Sequence, residues 1–188
     1  MASTDGIQSS FESPIIICFA CRARNMTKIR AFQPGDLPAI QAIRKRAFQP
    51  IYDSFRTLVS EDVFRLEFSD WDQAQGEYLQ SICAVNSGKE VYVATLGEAI
   101  VGFVAIYMNS ATRRGEIDLN AVDPEHQGKG IGEFMYRFAI SRMQRAGITV
   151  VKVSTGGDSS HVPARRAYEK AGFKVFIPSL TMYQKLAD

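Results

Sequence analysis

The sequence predicts one α/β domain built on a mixed sheet, and three observations carry that prediction. Two strand-like runs, "EVYVATL" (90–96) and "AIVGFVAIYM" (99–108), are separated by Gly97 and Glu98, which is hairpin punctuation. A further strand-like run, "GEIDLNAV" (115–122), leads through a glycine-rich turn into a helical pattern and then into the β-branched run "ITVVKVST" (148–155). With 188 residues, and no repeat, low-complexity tract or dividing linker, the chain suits one core rather than two.

The elements follow in order. Residues 1–25 are Ser-rich and aperiodic and read as a disordered tail, with Met26 as the expected true or alternative start and 26–188 as the domain. From residue 27 a short strand precedes "PGDLPAIQAIRKRAF", where Asp36 is a good N-cap and Leu37, Ile40, Ile43 and Ala47 recur at helical spacing. Two more helices are expected, at 60–68 capped by Ser60 and at 70–86 capped by Asp70. The hairpin and the strand at 115–122 come next, and Asp123-Pro124 ends that strand. A helix over about 129–146 carries the apolar stripe Ile131, Phe134, Met135, Phe138 and Met143, with Gly147 closing it. The run at 148–155 reads as a buried central strand. A short helix from Pro163 to Gly172 and two last strands, "FKVF" and "LTMYQKL", complete the pattern.

Composition narrows the function. Hydrophobic content of 46%, charged content of 22% and a net charge of +2 describe an ordinary globular chain and give no reason to expect nucleic acid or a membrane surface as partner. The longest candidate for a membrane span, "IIICFA", falls far short of the ~20 residues needed. Its flanking charges do not suit a secretory signal, so a cytoplasmic location is expected. Cys18, Cys21 and Cys83 make no disulfide framework, and Cys18-x-x-Cys21 has no second pair to complete a zinc site, so no metal is expected.

The stretch "AVDPEHQGKGIGEF" holds the chemistry. Gly128, Gly130 and Gly132 alternate where a strand gives way to a helix. Such spacing lets a bulky group approach the backbone and turns the orphan N–H donors of the first helical turn, at the positive end of the dipole, toward one cavity. A phosphate or pyrophosphate is the natural ligand. A P-loop would need Ser or Thr after Lys129, where Gly130 stands, and a dinucleotide fingerprint would need glycine where Glu133 stands. What remains is Gln127-x-x-Gly130-x-Gly132.

That pattern resembles the signature [Q/R]-x-x-G-x-[G/A] of the GNAT superfamily of acyl-CoA-dependent N-acyltransferases. "ARRAYEKAGF" (164–173) looks like the second motif of the same family. The resemblance extends over about 27–186 and is strongest over 115–176. It implies a GNAT-like mixed, mostly antiparallel central sheet flanked by helices. It also implies acetyl-CoA as acyl donor and a primary amine as acceptor, with direct transfer in a ternary complex. On this resemblance Gln127, Gly128, Lys129, Gly130, Ile131 and Gly132 hold the pyrophosphate, and Asn120, Ala121 and Val122 bond pantetheine through the main chain. Ala164 and His161 join the cofactor contacts, His161 standing where the family often has Asn. A homodimer is compatible with the family.

Acyl transfer needs a neutral amine and a proton for the departing thiolate. Tyr168 matches the family's acid. Glu116 matches the base of those members whose base lies on this strand, and water is the alternative. Glu116 and Asp118 share one strand face, with Ile117, Leu119 and Ala121 expected on the other. The glutamate that another subgroup places after the following strand is here Gly156. His161 neighbours Asp158, but no nucleophile-elbow serine or cysteine accompanies them, so a covalent route is not indicated. The stretch 48–68 is the expected acceptor side, with Asp53, Glu61 and Asp62 to attract an amine and Phe48, Tyr52 and Phe55 to shape a pocket. A small-molecule amine, an amino-acid derivative and a protein or peptide amine all fit. Other readings are a catalytically idle acyl-CoA sensor and a nucleotide-binding protein.

Overall fold

The computed structural model describes residues 27–186, so the tail, Met26, Cys18 and Cys21 lie outside the described residues. Five strands form one sheet: β1 (Thr27–Ala31), β2 (Lys89–Leu96), β3 (Ala99–Asn109), β4 (Arg114–Val122) and β5 (Val150–Val153). They lie in sequence order, antiparallel except for the parallel pair β4–β5. The helices are α1 (Leu37–Leu58), α2 (Glu61–Glu67), α3 (Trp71–Ile82), α4 (Ile131–Arg145) and α5 (Val162–Ala171). This is the mixed, mostly antiparallel sheet flanked by helices that the sequence implied. No helix among the described residues is long and apolar enough to cross a membrane.

Each sheet face has its own core. Ile40, Ile43, Leu79 and Ile82 from α1 and α3 pack on Val91, Val93, Phe103, Leu119 and Ala121. On the other face Ile131, Met135, Met143 and Tyr168 from α4 and α5 pack on Val104, Ile106 and Ile117. The 3.6-residue stripes of the helices therefore meet opposite faces of strands that read as nearly continuous apolar runs, as a doubly covered sheet requires.

Two features of β4 position the site. Val104 pairs with Asn120 and Ile106 with Ile117, so one β3 residue faces two on β4, Asp118 and Leu119: a β-bulge. The bulge shifts parity, and Ile117 enters the α4/α5 core whereas Leu119 and Ala121 enter the α1/α3 core, which corrects the single-face expectation. Glu116 and Asp118 do share the α1/α3 side, where Tyr78 of α3 donates to Asp118 at 2.7 Å. The second feature is a splay. Pairing with β5 covers Arg114–Ile117 against Val150–Val153 and stops, while β4 continues to Val122.

Other differences from the sequence reading have local causes. Asp36 does not cap α1 with its side chain; it accepts from the Gln33 N–H at 2.8 Å and from Arg30 at 2.6 and 2.8 Å, closing the short 3-10 turn ahead of the helix. The first helix does not end near residue 48 but runs through Pro50 to Leu58. The run at 148–155 is not a buried central strand: β5 is a four-residue edge with Val150 60% exposed. The expected strands at 173–176 and 180–186 do not form. Strand propensity needs a partner edge, and Pro178 removes a ladder donor between them. The segment instead sets Tyr183 edge-on to Phe68 and Lys185 2.9 Å from Asp62, leaving Val175, Phe176 and Ile177 exposed.

A Cβ at Gly102 would fall 2.9 Å from the Ala121 carbonyl oxygen and 3.1 Å from Met135 Sδ. Gly102→Ala therefore pushes β4 outward, and the expected cost is about 1–3 kcal/mol, read as a fall of several degrees in Tm by calorimetry.

Candidate active site

The splay of β4 from β5 opens a cleft of about 820 Å³, inside the usual range for small-molecule sites. One wall is β4 from Glu116 to Val122; the others are the glycine loop, the first turn of α4, the chain after β5 and the start of α5. The β5-side main-chain edge of β4 beyond Ile117 has no ladder partner, and apart from the Val122 carbonyl, which Gln127 holds, its groups are open to an extended ligand. All residues that the resemblance assigned to the cofactor or to catalysis line this one cleft, from Glu116 and Asn120 through 127–132 to His161, Ala164 and Tyr168.

The loop between β4 and α4 is fixed from three sides. Asp123 accepts from the Glu125 N–H at 3.2 Å to cap the 3-10 turn Pro124–His126, and Arg46 of α1 holds its carboxylate at 2.5 Å. The Gln127 side chain donates to the Val122 carbonyl at 3.1 Å, so it braces the loop on the end of β4. Lys129 Nζ donates to the Glu125 carbonyl at 2.7 Å. Gly128 and Gly130 have φ of 74° and 82°, left-handed values that favour glycine, and Gly130 is the N-cap of α4. Gly132 is different: a Cβ there would sit 3.7 Å from its nearest neighbours, an ordinary contact. Arg166 and Lys170, which the sequence reading did not single out, join Lys129 in lining the cleft. Their spacing on α5, one turn apart, is the signal that could have found them. Three cations and a helix N-terminus make this end attractive to phosphates.

At the centre stands a polar network in an apolar core. Asn120 Nδ2 donates to the Asp118 carbonyl at 2.7 Å and to the Tyr168 hydroxyl oxygen at 3.1 Å, while Tyr136 Oη donates to Asn120 Oδ1 at 2.7 Å. The carbonyl at one end fixes which way the amide points. The Tyr168 hydroxyl accepts from Asn120 Nδ2 and donates to Asn120 Oδ1 at 3.3 Å, so its proton is held within this network at the wall of the cleft. The two tyrosine rings are 4.4 Å apart, and Tyr168 is 6% exposed. Burial pushes the Tyr168 phenol up, against the opposing hydrogen bonds from Asn120 and Tyr136, so it stays protonated at neutral pH. Tyr136 is pushed well above the ordinary phenol value by burial. The sequence reading missed it because it sits one position from Met135 on a stripe read only for apolar residues.

Beside the tip of the cleft His161 Nδ1 lies 2.5 Å from Asp158 Oδ1. Asp158 Oδ2 accepts from the Ser160 N–H at 3.0 Å, from the Ser160 hydroxyl and from Ser54 of α1 at 3.1 Å. Burial raises the Asp158 carboxyl, but hydrogen bonds from Ser160 and His161 and the His161 charge outweigh it and bring it to about 2. A Cβ at Gly156 would fall 2.5 Å from His161 Cε1 and 2.7 Å from Asp158 Oδ1, so only glycine leaves room for the pair.

The α1/α3 side of the cleft, where the acceptor is expected, is lined by Phe48, Gln75, Tyr78, Glu116 and Asp118. Glu116 pairs with Lys152 at 3.2 Å, and Asp118 is bound by Lys89 and Tyr78. The carboxylates expected there lie elsewhere: Asp53 accepts from Gln49, Glu61 faces Arg56, and Asp62 is held by Lys185 and Arg65. Tyr52 and Phe55 do not line the cleft but build an aromatic cluster with Phe68 and Trp71 behind it. Burial pushes the Cys83 thiol up to about 11, which makes it a poor nucleophile.

A sheet split at its parallel pair, with a glycine-capped helix at one end of the split and a buried tyrosine in its wall, defines a class of cofactor-cleft fold. Comparison gives the class its family. Residues 50–173 match the acetyltransferase (GNAT) family, and the chain belongs to it. It is 27% identical over 146 residues to a mycothiol acetyltransferase of Actinosynnema mirum, covering 77% of this chain and 43% of that protein. The chain thus spans less than half the length of the curated relatives it matches. Its fold is similar to that of PaiA N-acetyltransferase from Thermoplasma acidophilum in complex with coenzyme A, with TM-score 0.59 and 20% identity over 81% of this chain and 92% of that one. It is also similar to an aminoglycoside acetyltransferase from an uncultured soil metagenomic sample, solved with sisomicin, with TM-score 0.56 and 21% identity over 87% and 98%.

The two glycine environments predict different outcomes. Gly130→Ala forces a side chain into left-handed backbone and is expected to cost about 1–2 kcal/mol in denaturant melts, whereas Gly132→Ala stays within about 0.5 kcal/mol. Asp158 makes a pH prediction. Its folded carboxyl lies below the ordinary 3.8, so its stabilisation is complete above about pH 4 and is lost as pH falls toward 2. Asp158→Asn is expected to cost roughly 1 kcal/mol at neutral pH, with the gap to the parent protein closing in melts at progressively lower pH.

Proposed function

We propose that the chain is an N-acetyltransferase that moves the acetyl group of acetyl-CoA to a primary amine by direct transfer in a ternary complex. The single observation that carries the reading is the unpaired edge of β4 ending at a glycine-capped helix with Tyr168 in the same wall. Residues 127–132 hold the pyrophosphate on main-chain N–H groups, with Lys129, Arg166 and Lys170 supplying charge. The main chain of Asn120–Val122 takes the pantetheine amides as a neighbouring strand would, and His161 and Ala164 border that arm.

The amine nitrogen attacks the thioester carbonyl carbon and the C–S bond breaks with its electron pair on sulfur. Tyr168 gives its proton to that sulfur, and the proton released by nitrogen as the amide forms restores the tyrosine through water. A phenol held protonated by burial suits this task across neutral pH. The acceptor enters on the α1/α3 side, where Glu116 and Asp118, each paired with a lysine, line the cleft beside Phe48 and Tyr78. The high thiol value at Cys83 favours direct transfer over an acyl-cysteine route. The alternative of an idle acyl-CoA sensor is favoured by no feature of the cleft, because a sensor has no need of a buried acid at the thioester.

Acetyl-CoA turnover against a broad panel of small amines, amino-acid derivatives and peptides is the direct test, with thiol release as the readout. Tyr168→Phe is expected to lower kcat about 10²-fold while acetyl-CoA affinity by calorimetry stays within about twofold. Acetyl-CoA binding with no turnover of any amine would return the sensor reading.

A further inference from the structure

We propose that His161 is the general base of this site, with its Nε2 receiving the proton of the acceptor ammonium and Asp158 as its positioning residue; the proposal rests on the transferase reading above. Three observations carry it. His161 lines the cleft, and its Nδ1 is taken by Asp158 at 2.5 Å, so the one ring nitrogen left for a ligand is Nε2, which has no partner among the described residues. The dyad is held rigidly: Asp158 is tied to Ser160 and to Ser54 of α1, the Arg165 guanidinium donates to the Gly156 and Asp158 carbonyls at 2.6 and 2.8 Å, and Phe55 lies near parallel to the imidazole. Finally, the backbone makes room for the ring, since any side chain at Gly156 would occupy the space of His161 and Asp158.

The other candidates are already engaged. Glu116 is paired with Lys152, and Asp118 with Lys89 and Tyr78, so using either as base first breaks an ion pair. The groups that surround the imidazole are few. From its own turn come Asp158 and Ser160, from α5 Arg165, whose hydrogen bonds go to carbonyls, and from α1 the uncharged Ser54 and Phe55. The rest of the cleft wall holds the paired carboxylates of β4, Glu133, Tyr168 and the cations Lys129, Arg166 and Lys170.

An Asp158 carboxylate that remains ionised at neutral pH fixes the Nδ1–H tautomer and leaves the Nε2 lone pair toward the cleft. The step balances simply. The ammonium gives one proton to Nε2, forming imidazolium and a neutral amine; the amine then attacks, and the imidazolium returns its proton to solvent after product leaves. His161 and Tyr168 thereby divide the work, one removing a proton from nitrogen and the other supplying one to sulfur.

The test uses the full chain with acetyl-CoA and the best acceptor of the amine panel. His161→Gln is expected to lower kcat/KM about 10²-fold at pH 7 through kcat, with a much smaller effect on acetyl-CoA affinity and a pH profile unlike the parent's. Added imidazole should recover about tenfold of the loss in His161→Ala, which a purely structural role would not allow. Asp158→Asn should lower kcat more than it raises KM. Side-chain nitrogen NMR, which needs no acceptor, should find the Nδ1–H tautomer in the parent protein and its loss in Asp158→Asn. A parent-like pH profile in His161→Gln, loss of acetyl-CoA binding in that variant, or an Nε2–H tautomer in the parent would each overturn the assignment. A parent protein that binds acetyl-CoA and acetylates no amine overturns the transferase reading and this one with it; normal transfer in both His161 variants overturns this one alone.

Discussion

The five residues of β4 beyond Ile117 keep their β3 partners on one side and lose β5 on the other, and most of the cleft follows from that one-sided edge. A buried main-chain polar group without a partner costs about 1–3 kcal/mol, so an edge of this length cannot close into a dry core. It has to stay open to water or to a ligand that supplies amide-like groups at strand spacing. An open edge at the rim of a sheet invites another chain, but this edge lines a cleft beside the end of β5.

The β-bulge at Asp118 and Leu119 gives the split its two sides. Without the extra residue Asn120 would continue the face that carries Glu116 and Asp118, and the network with Tyr136 and Tyr168 could not form. With it, Asn120 faces the α4/α5 layer and reaches Tyr136 and Tyr168, while the carboxylates face the α1/α3 layer. One inserted residue thus separates the tyrosine network on one side of the cleft from the carboxylates on the other. The bulge also explains why the strand still alternates buried and half-buried residues while changing which core each one enters.

The parts of the molecule that were legible in the sequence are those fixed by local rules. Periodicity found the helices, Gly97 the hairpin, and the glycine spacing the loop, because positive φ at Gly128 and Gly130 is a property of two residues and not of the tertiary structure. The misses share a cause, which is that distant neighbours decided them. Pro50 signals a helix end, yet α1 continues because Tyr52 stacks on Trp71 and Phe55 packs against Phe68, enough to offset the ~3 kcal/mol of an internal proline. The bulge is invisible in "GEIDLNAV", whose alternation is regular on paper. The last two strands were read from propensity alone, and β5 offers them no register. Acidic residues at 53, 61 and 62 looked like an acceptor trap only while their basic neighbours at 56, 65 and 185 were out of view.

Glycine acts in two opposite ways around this cleft, and the contrast bears on where the base resides. At 128 and 130 it bends the chain so that backbone donors can meet a ligand; at 156 its conformation is ordinary, and what matters is the missing Cβ. That missing atom is replaced in space by the imidazole of a residue five positions later, so the end of β5 presents a basic nitrogen without carrying a side chain of its own. A carboxylate on the strand at that point would add a third acid to a wall already holding Glu116 and Asp118, and the mutual repulsion would raise their affinity for protons. A histidine oriented by a half-buried aspartate avoids this, because its Nε2 is neutral when it acts as a base and the compensating charge sits behind it, hydrogen-bonded to Ser160 and Ser54.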